Sequence, residues 1–544
     1  MAAGASAQPD ATPRPARMPF RGTLSAVTTS LLQPIRDRLD TKLPAFFRFR
    51  HIPNSDRVVL TNLEGNWLVL TADEMRTFAS GQLSEGSELW TRLKERNFLR
   101  AYYDLDAARA RIERKRIHLD RGPILHMMIV TLRCNETCVY CHASRANMDA
   151  VQTDMTPEIA DASVDLAFKT TSPSLTIEFQ GGEPLVNFPV VQRIVERAKR
   201  KSEETGKTVE LTMVSNLALM DEEKLAFLVD NKVQICTSID GPLELHDKQR
   251  KLPMAQGHGG NGSAHAAAVQ WIRRINEEYI KRGLDPNLYH VEALLTTTRA
   301  ALERGRDIVD QYAELGCRAL FLRPIDPFGF AEKTARIVDY PRSDYERFYR
   351  DTTDYILQKN RDGVQMLERY AAIFLTKILA GEDPNFLDIR SPEGAGVGAL
   401  AYNYDGKVFS SDEGRMLHEQ GDSSFLVGNV SDPTKPPNYR DIVGHPTIRA
   451  TQVASILEGQ PDCVNCAYVP YCGTQTAHNW KTLGSVHGRM RESSVCAVHK
   501  GIMDYLFEKL ATGDAQTLEQ LERWTTIRPR EHFLQTPGAP ASSE

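Results

Sequence analysis

No stretch of this 544-residue chain approaches the ~18 consecutive apolar residues that a membrane helix needs, so no membrane partner is expected. A basic surplus is missing too. Lys and Arg number 66 against 71 Asp and Glu, a net charge of -5, whereas binding to nucleic-acid phosphate calls for a basic excess. The opening "MAAGASAQPDATPRPARMPF" lacks the apolar core of a secretory signal and reads as disordered. No internal repeat is visible. Cysteine is scarce: nine residues, odd in number and bunched in two clusters, which argues against a disulfide framework. A reducing cytoplasm, with cysteines held as metal ligands, fits better. What remains is an ordinary globular composition, 41% hydrophobic and 25% charged.

Behind a polar, weakly helical lead-in (1–45), residues 46–118 read as a compact unit. "FRFRHI", "DRVVLTNL" and "NWLVLT" are short strands separated by turn residues. "TADEMRTFASG" is a helix with Thr71 as N-cap and Gly81 at its end, and "SELWTRLKERNFL" is a second. Three strands and two helices of this size make a winged-helix-like domain. From 119 to 330 strands alternate with helices: "ILHMMIVTL", "LTIEFQGG", "VELTMVSN", "VQICTSID", "YHVEALLTT" and "ALFLRPI" are the strands. Repeated βα units argue for a parallel barrel or open sheet, whose chemistry gathers at the C-terminal strand ends. Residues 331–390 read as helical, 391–505 as loop-rich, and 506–544 as C-terminal helices with a disordered tail. Cys236 and Cys317, alone beside apolar runs, read as buried structural thiols.

The first cysteine cluster, "TLRCNETCVYCHAS", follows the first strand of the βα array with Cys134, Cys138 and Cys141. Thiolates are soft ligands suited to iron–sulfur clusters or zinc. A [4Fe–4S] cluster normally takes four cysteines, so three would leave one iron open to a small molecule. In the zinc alternative His142 would be a fourth ligand, but neighbouring residues are strained as ligands to one tetrahedral ion.

This C-x3-C-x2-C loop resembles the defining motif of the radical S-adenosylmethionine (SAM) superfamily, and the similarity runs through residues 123–330. The resemblance implies an α/β fold with a partial (β/α)6, TIM-like barrel. It also implies SAM on the open iron, cleaved by one electron from a flavodoxin- or ferredoxin-type donor to give a 5′-deoxyadenosyl radical. On the same ground "GGEP" resembles the family's SAM-amine motif: Gly181 and Gly182 would let backbone approach the methionine part and Glu183 would receive the ammonium. Ser215, Asn216, Ser238 and Asp240 end the next strands where the family contacts SAM carboxylate or ribose, with Arg250 in "HDKQR" behind them; strand-end capping is the alternative for these polar residues. Tyr140 would pack near the adenine, or serve as an aromatic plug. Arg323 would clamp SAM or a peptide carboxylate, or balance nearby acids.

The second cluster, Cys463, Cys466, Cys472 and Cys496, resembles part of the SPASM extension of peptide-modifying radical SAM enzymes. A full extension holds two auxiliary clusters. Ser411 and Thr476 stand where cysteines of the first would be, so the expectation is one auxiliary [4Fe–4S] cluster with four protein ligands, two clusters in all; structural zinc is the alternative. Asp412, at the place of an aspartate base in sulfatase-maturing relatives, is the candidate base, with Glu413 beside it; an exposed polar turn is the plain reading.

Together these features look most like the maturase of the His-Xaa-Ser repeat peptide system. That resemblance implies a ribosomally made precursor peptide as substrate, with 46–118 binding its leader as an added strand. A second radical SAM maturase is implied as a partner. The product would be a crosslink or other oxidative modification. A formylglycine-forming sulfatase maturase and a non-catalytic, zinc-stabilised peptide-binding scaffold are the alternatives.

Overall fold

Strands β1 (Arg48–His51), β2 (Arg57–Thr61) and β3 (Trp67–Thr71) form an antiparallel sheet in sequence order. The computed structural model from which this is taken describes residues 40–53, 55–253, 262–432, 434 and 437–526. The expected disorder of the first twenty residues, nearly all of the 1–45 lead-in and the final tail lie outside those residues. Alternation along β2 divides the apolar side chains between two faces. Val58 and Leu60 pack under the helices Ala72–Ala79 and Glu88–Glu95 with Phe78, Trp90 and Leu93, while Val59 faces the main core of the protein. Thr71 starts the first helix by a reciprocal capping box with Glu74, at 3.1 and 2.7 Å.

The helix Leu105–Lys115 leads to the central sheet. Six strands of it are parallel and neighbour one another in chain order: β4 (Leu125–Thr131), β6 (Ser174–Gly181), β7 (Thr208–Val214), β8 (Val233–Ser238), β10 (Glu292–Thr297) and β12 (Leu322–Pro324). Between them lie two short pieces, β5 (Thr137–Cys138) and β9 (Arg250–Lys251), which pair with each other. "ALFLRPI" is not one strand. β11 (Ala319–Leu320) pairs with β13 (Leu367–Glu368) before the chain changes partner into β12.

The largest departure from expectation lies at the free edge of β4. The segment read as loop-rich supplies β14 (Ala399–Tyr402), parallel to β4, and then β15 (Lys407–Phe409) and β16 (Leu426–Asn429), both antiparallel. Nine strands result, so the C-terminal region is built onto the barrel sheet itself. His126 of β4 bonds the Tyr402 hydroxyl across this seam at 3.0 Å. Inside the barrel, Thr176, Glu178 and Gln180 of β6 and Gln234, Cys236 and Ser238 of β8 line a common cavity, while the alternate residues Leu175, Ile177, Phe179 and Val233 are buried in the core. Cys317 is buried as expected; Cys236 is not a core thiol but faces that cavity. No helix among the described residues is long and apolar enough to cross a membrane.

Candidate active site

The cysteine loop after β4 is tied on both sides. Cys134 N–H donates to Ala146 O at 3.1 Å, Val139 N–H to Gln249 O at 2.9 Å, and Phe330 N–H to Cys141 O at 2.8 Å. With β5 paired to β9, the loop has little freedom. Cys134, Cys138 and Cys141 all line one cavity of about 1020 Å³ at the C-terminal strand ends and barrel interior. Nearly every residue singled out from sequence lines it too: Tyr140, Gly181, Gly182, Glu183, Ser215, Asn216, Ser238, Arg250, Arg323 and Asp412.

Several of these residues also hold the chain itself. A Cβ on Gly182 would lie 2.4 Å from the carbonyl oxygens of Leu132 and Arg133, and one on Gly181 2.1 Å from Thr131 O. The close approach that demands glycine is therefore to the end of β4 and its loop, fixed by Gly182 N–H to Thr131 O and Glu183 N–H to Arg133 O, both 2.9 Å. Glu183 is 1% exposed; Oε1 accepts Ser215 Oγ (2.8 Å) and Leu185 N–H (3.0 Å), and Oε2 accepts Asn216 N–H (2.7 Å). It pins β6 to the end of β7, and Oε2 keeps acceptor capacity. Asp240 departs furthest. It is wholly buried, does not line the cavity, and holds the Tyr140 hydroxyl at 2.6 and 2.7 Å, Gln249 at 3.2 Å and Arg250 Nε at 3.3 Å. Arg250 in turn lies over the Tyr140 ring and reaches Cys138 Sγ at 3.8 Å. Tyr140, Asp240 and Arg250 thus form one buried brace behind the cysteine loop.

To the sequence candidates Asp412 and Glu413 the fold adds two carboxylates that sequence reading missed, Asp326 and Asp388. Asp326, Asp388, Asp412 and Glu413 all line the cavity with Arg323. Asp412 Oδ1 is held by Arg415 Nε at 2.6 Å. Glu413 is pushed up to about 8, first by burial and then by Asp388, Asp412 and Asp326. Asp388 is raised by burial, which Arg323 opposes. His478 Nδ1 stands 3.4 Å from Asp326, whose ionised form it favours against burial. These acids come from three separate segments, and a "D" or "E" after a strand is too common a signal to find Asp326 and Asp388.

The second set of cysteines lies away from this cavity. Cys463 and Cys466 share a tight turn (Cys466 N–H to Cys463 O, 2.7 Å), and Cys496 opens the helix Ser494–Thr512. The thiols act on one another: Cys463 is pushed up to about 12 by burial, then by Cys496 and Cys466, and Cys472 is raised by burial, then by Cys496, Cys466 and Cys463. Ser411 instead caps the helix Asp412–Glu419, accepting Gly414 N–H at 3.1 Å. Thr476 bonds Glu393, itself pushed up to about 8 by burial.

Both sets suit iron–sulfur ligation by donor chemistry, with soft thiols facing one another in protected loops. Among the described residues no three His, Cys, Asp or Glu side chains are grouped to hold a single metal ion. A cubane demands less convergence than one zinc, whose sulfurs stand about 3.8 Å apart at the usual bond length.

Residues 128–259 match the family model described as the Radical SAM superfamily. The cysteine-type anaerobic sulfatase-maturating enzyme of Clostridium perfringens is 21% identical over 384 residues, 69% of this chain and 94% of the relative. A serine-type anaerobic sulfatase-maturating enzyme from Bacteroides thetaiotaomicron is 28% identical over 197 residues, 35% of this chain and 44% of the relative. The solved structure "Native anSMEcpe with bound AdoMet" shares the fold at a TM-score of 0.55 and 16% identity, over 75% of this chain and all of that one. The chain is thus an enzyme whose residues 128–259 are similar to the radical SAM superfamily.

Proposed function

We propose that the chain is a radical SAM peptide maturase: it takes hydrogen from a ribosomally made precursor peptide and leaves an oxidative modification, a crosslink in the reading closest to the His-Xaa-Ser repeat system. The observation behind this is one cavity of about 1020 Å³, lined both by the three cysteines and by a group of carboxylates. Its size suits a peptide segment together with a cofactor. Cys134, Cys138 and Cys141 would hold a [4Fe–4S] cluster, and SAM bound there would supply the hydrogen-abstracting chemistry. Cys463, Cys466, Cys472 and Cys496 would hold the auxiliary cluster.

Removing a second electron from the peptide, for which the auxiliary cluster would be the acceptor, also releases a proton. Glu413 is the better acceptor than Asp412: it titrates near 8 at the cavity wall, whereas Asp412 is committed to Arg415. Arg323 would fix a substrate carboxylate or carbonyl across from it, and the 46–118 unit would bind the leader.

A formylglycine-forming activity on a sulfatase-type peptide is the second reading, favoured by the 94% coverage of the C. perfringens relative. A solved structure of anSMEcpe is described as holding AdoMet and the Cp18Cys peptide, which supports a peptide in this cavity under either reading. Anaerobic incubation with SAM and a strong reductant should release 5′-deoxyadenosine, and the Cys134→Ala variant should not. Mass spectrometry of a co-expressed precursor then separates the two activities. A Cys or Ser converted to formylglycine would replace the crosslinking assignment.

A further inference from the structure

Strand β1 carries its charge on the inward face. In "RFRH" Arg48 is 4% exposed, while Phe49 is 50% exposed. Strand alternation puts Arg48 and Arg50 on one side, and what they meet there is the second cysteine loop and the helix behind it. Arg50 is fully engaged: its fork grips Asp504 at 2.6 Å twice, and Asp504 also accepts the Tyr468 hydroxyl at 2.7 Å. Arg48 is not. Its Nε donates to Val464 O at 2.7 Å, between Cys463 and Cys466, and its guanidinium lies 5.0 Å over the Phe46 ring. Its Nη1 is buried with no hydrogen-bond partner.

A buried donor left unpaired costs about 1–3 kcal/mol, and more when charged. Burial works against the Arg48 charge, and Glu458 and the Cys466 thiol favour it. Glu458 already has a partner in Arg116 at 3.1 Å. That leaves the thiol side, beside Val464, as the candidate acceptor for this unused, buried N–H.

Resting on the reading of these four cysteines as cluster ligands, we propose that Arg48 is a positioning residue of the auxiliary site, with Nη1 the donor to a thiolate sulfur of the 463–466 turn. Its charge favours the more negative, reduced state of whatever cluster the thiolates hold. The N-terminal unit then has a role separate from precursor recognition. It completes the surroundings of the auxiliary site, and the inverted strand exists because what it faces is anionic.

The test uses the full chain with Cys134, Cys138 and Cys141 replaced by Ala, reconstituted anaerobically with iron and sulfide so that the auxiliary site alone is read. About four irons per chain are expected. In that background Arg48→Gln and Arg48→Met should move the one-electron reduction equilibrium at least about tenfold toward the oxidised form, about 59 mV by redox titration. Arg48→Lys, which keeps the charge, should move it less than threefold. Thr61→Val removes the neutral bond from Thr61 Oγ1 to Ala467 O (2.7 Å) in the same interface and should leave the equilibrium unchanged. Iron content intact with equal potentials in all Arg48 variants overturns the proposal, as does a shift in Thr61→Val equal to that in Arg48→Gln. If the neutral variants do not fold, Arg48→His takes their place: a potential that moves toward the oxidised form as pH rises through the histidine titration upholds the proposal, and one with the same pH dependence as wild type overturns it. Zinc without labile sulfide in the background protein rejects the cluster reading itself, a result distinct from every potential above.

Discussion

The two cysteine sites share a ligand type and differ in almost everything around it. Cys134, Cys138 and Cys141 line a cavity braced behind by Tyr140, Asp240 and Arg250 and faced by four carboxylates. Cys463, Cys466, Cys472 and Cys496 line no part of it; a helix start, a tight turn and the arginine-bearing face of β1 surround them. Three thiols before a chamber suit chemistry on a bound molecule, and four thiols outside it suit a group whose ligands all come from the protein. The contrast lies in the surroundings, since the thiols alone would serve either purpose.

The strongest way to break that contrast is to remove one thiol from each site. Cys134→Ala should bring SAM cleavage to background and remove about four irons. Cys466→Ala should remove a similar amount of iron yet leave 5′-deoxyadenosine release within a few-fold, with peptide modification lost. Equal loss of SAM cleavage in both variants would show that the sites do not divide the work as their surroundings suggest.

Next in size is Glu413→Gln, which should lower modification by about 10²–10⁴-fold, the span of a lost general base, with little effect on uncoupled SAM cleavage. Wild-type modification should rise with pH through about 8, because the base must be ionised, and the variant should lose that limb. Stability should respond in the opposite sense. The unfolded glutamate titrates near ~4.3, so the folded, raised carboxyl loses stability as pH climbs from there to its folded value. Glu413→Gln lacks that loss and should melt higher than wild type at pH 8. Asp412→Asn, which disturbs the pair with Arg415, should melt lower.

Gly182→Ala comes third. The added methyl meets two carbonyl oxygens at 2.4 Å, so overpacking should cost about 1–3 kcal/mol and shift the cysteine loop. SAM cleavage should fall roughly tenfold, the rate effect of about 1.4 kcal/mol. Gly206, with φ at 69° and nothing near its Cβ, gives the contrast: its alanine variant should lose stability by about 1 kcal/mol and no activity.

What the sequence made legible follows from where the information is stored. Cysteine spacing within a turn is local, so both sets were visible, as were the six parallel strands with their apolar runs and the Thr71 cap. Asp326 and Asp388 were not, because they meet Asp412 and Glu413 only through the fold. β14 was missed because "ALAY" is too short to announce a strand, and its pairing with β4 repays it with a place in the buried sheet. What the motif does not announce is that Gly181, Gly182 and Asp240 also hold the chain's own backbone and side chains, contacts that only the fold brings together. The inward arginines of β1 are not legible for a related reason: alternation predicts which residues share a face, not which face is buried, and the answer depends on the partner surface.

The smallest expected effect concerns the 46–118 unit, and the structure changes how it should be tested. Deleting the unit would strip Ile52 and Val59 from the main core and Arg48 and Thr61 from the auxiliary loop, so lost modification would say nothing about leader recognition. The outward face of β1 offers a cleaner probe. Phe46 and Phe49 are 51% and 50% exposed, and Phe49 meets its surroundings through ring contacts with Phe47 and His51. Phe49→Ser should change stability by no more than about 0.5 kcal/mol, as surface substitutions do. If an added leader strand covers this aromatic edge, precursor binding should weaken about tenfold by titration, the loss of one exposed aromatic anchor. SAM cleavage and the auxiliary potential should not move, since Phe49 points away from both cysteine sites while Arg48, one residue before it, points at one. Unchanged precursor affinity would place the leader elsewhere and leave β1 with its inner face as its single duty.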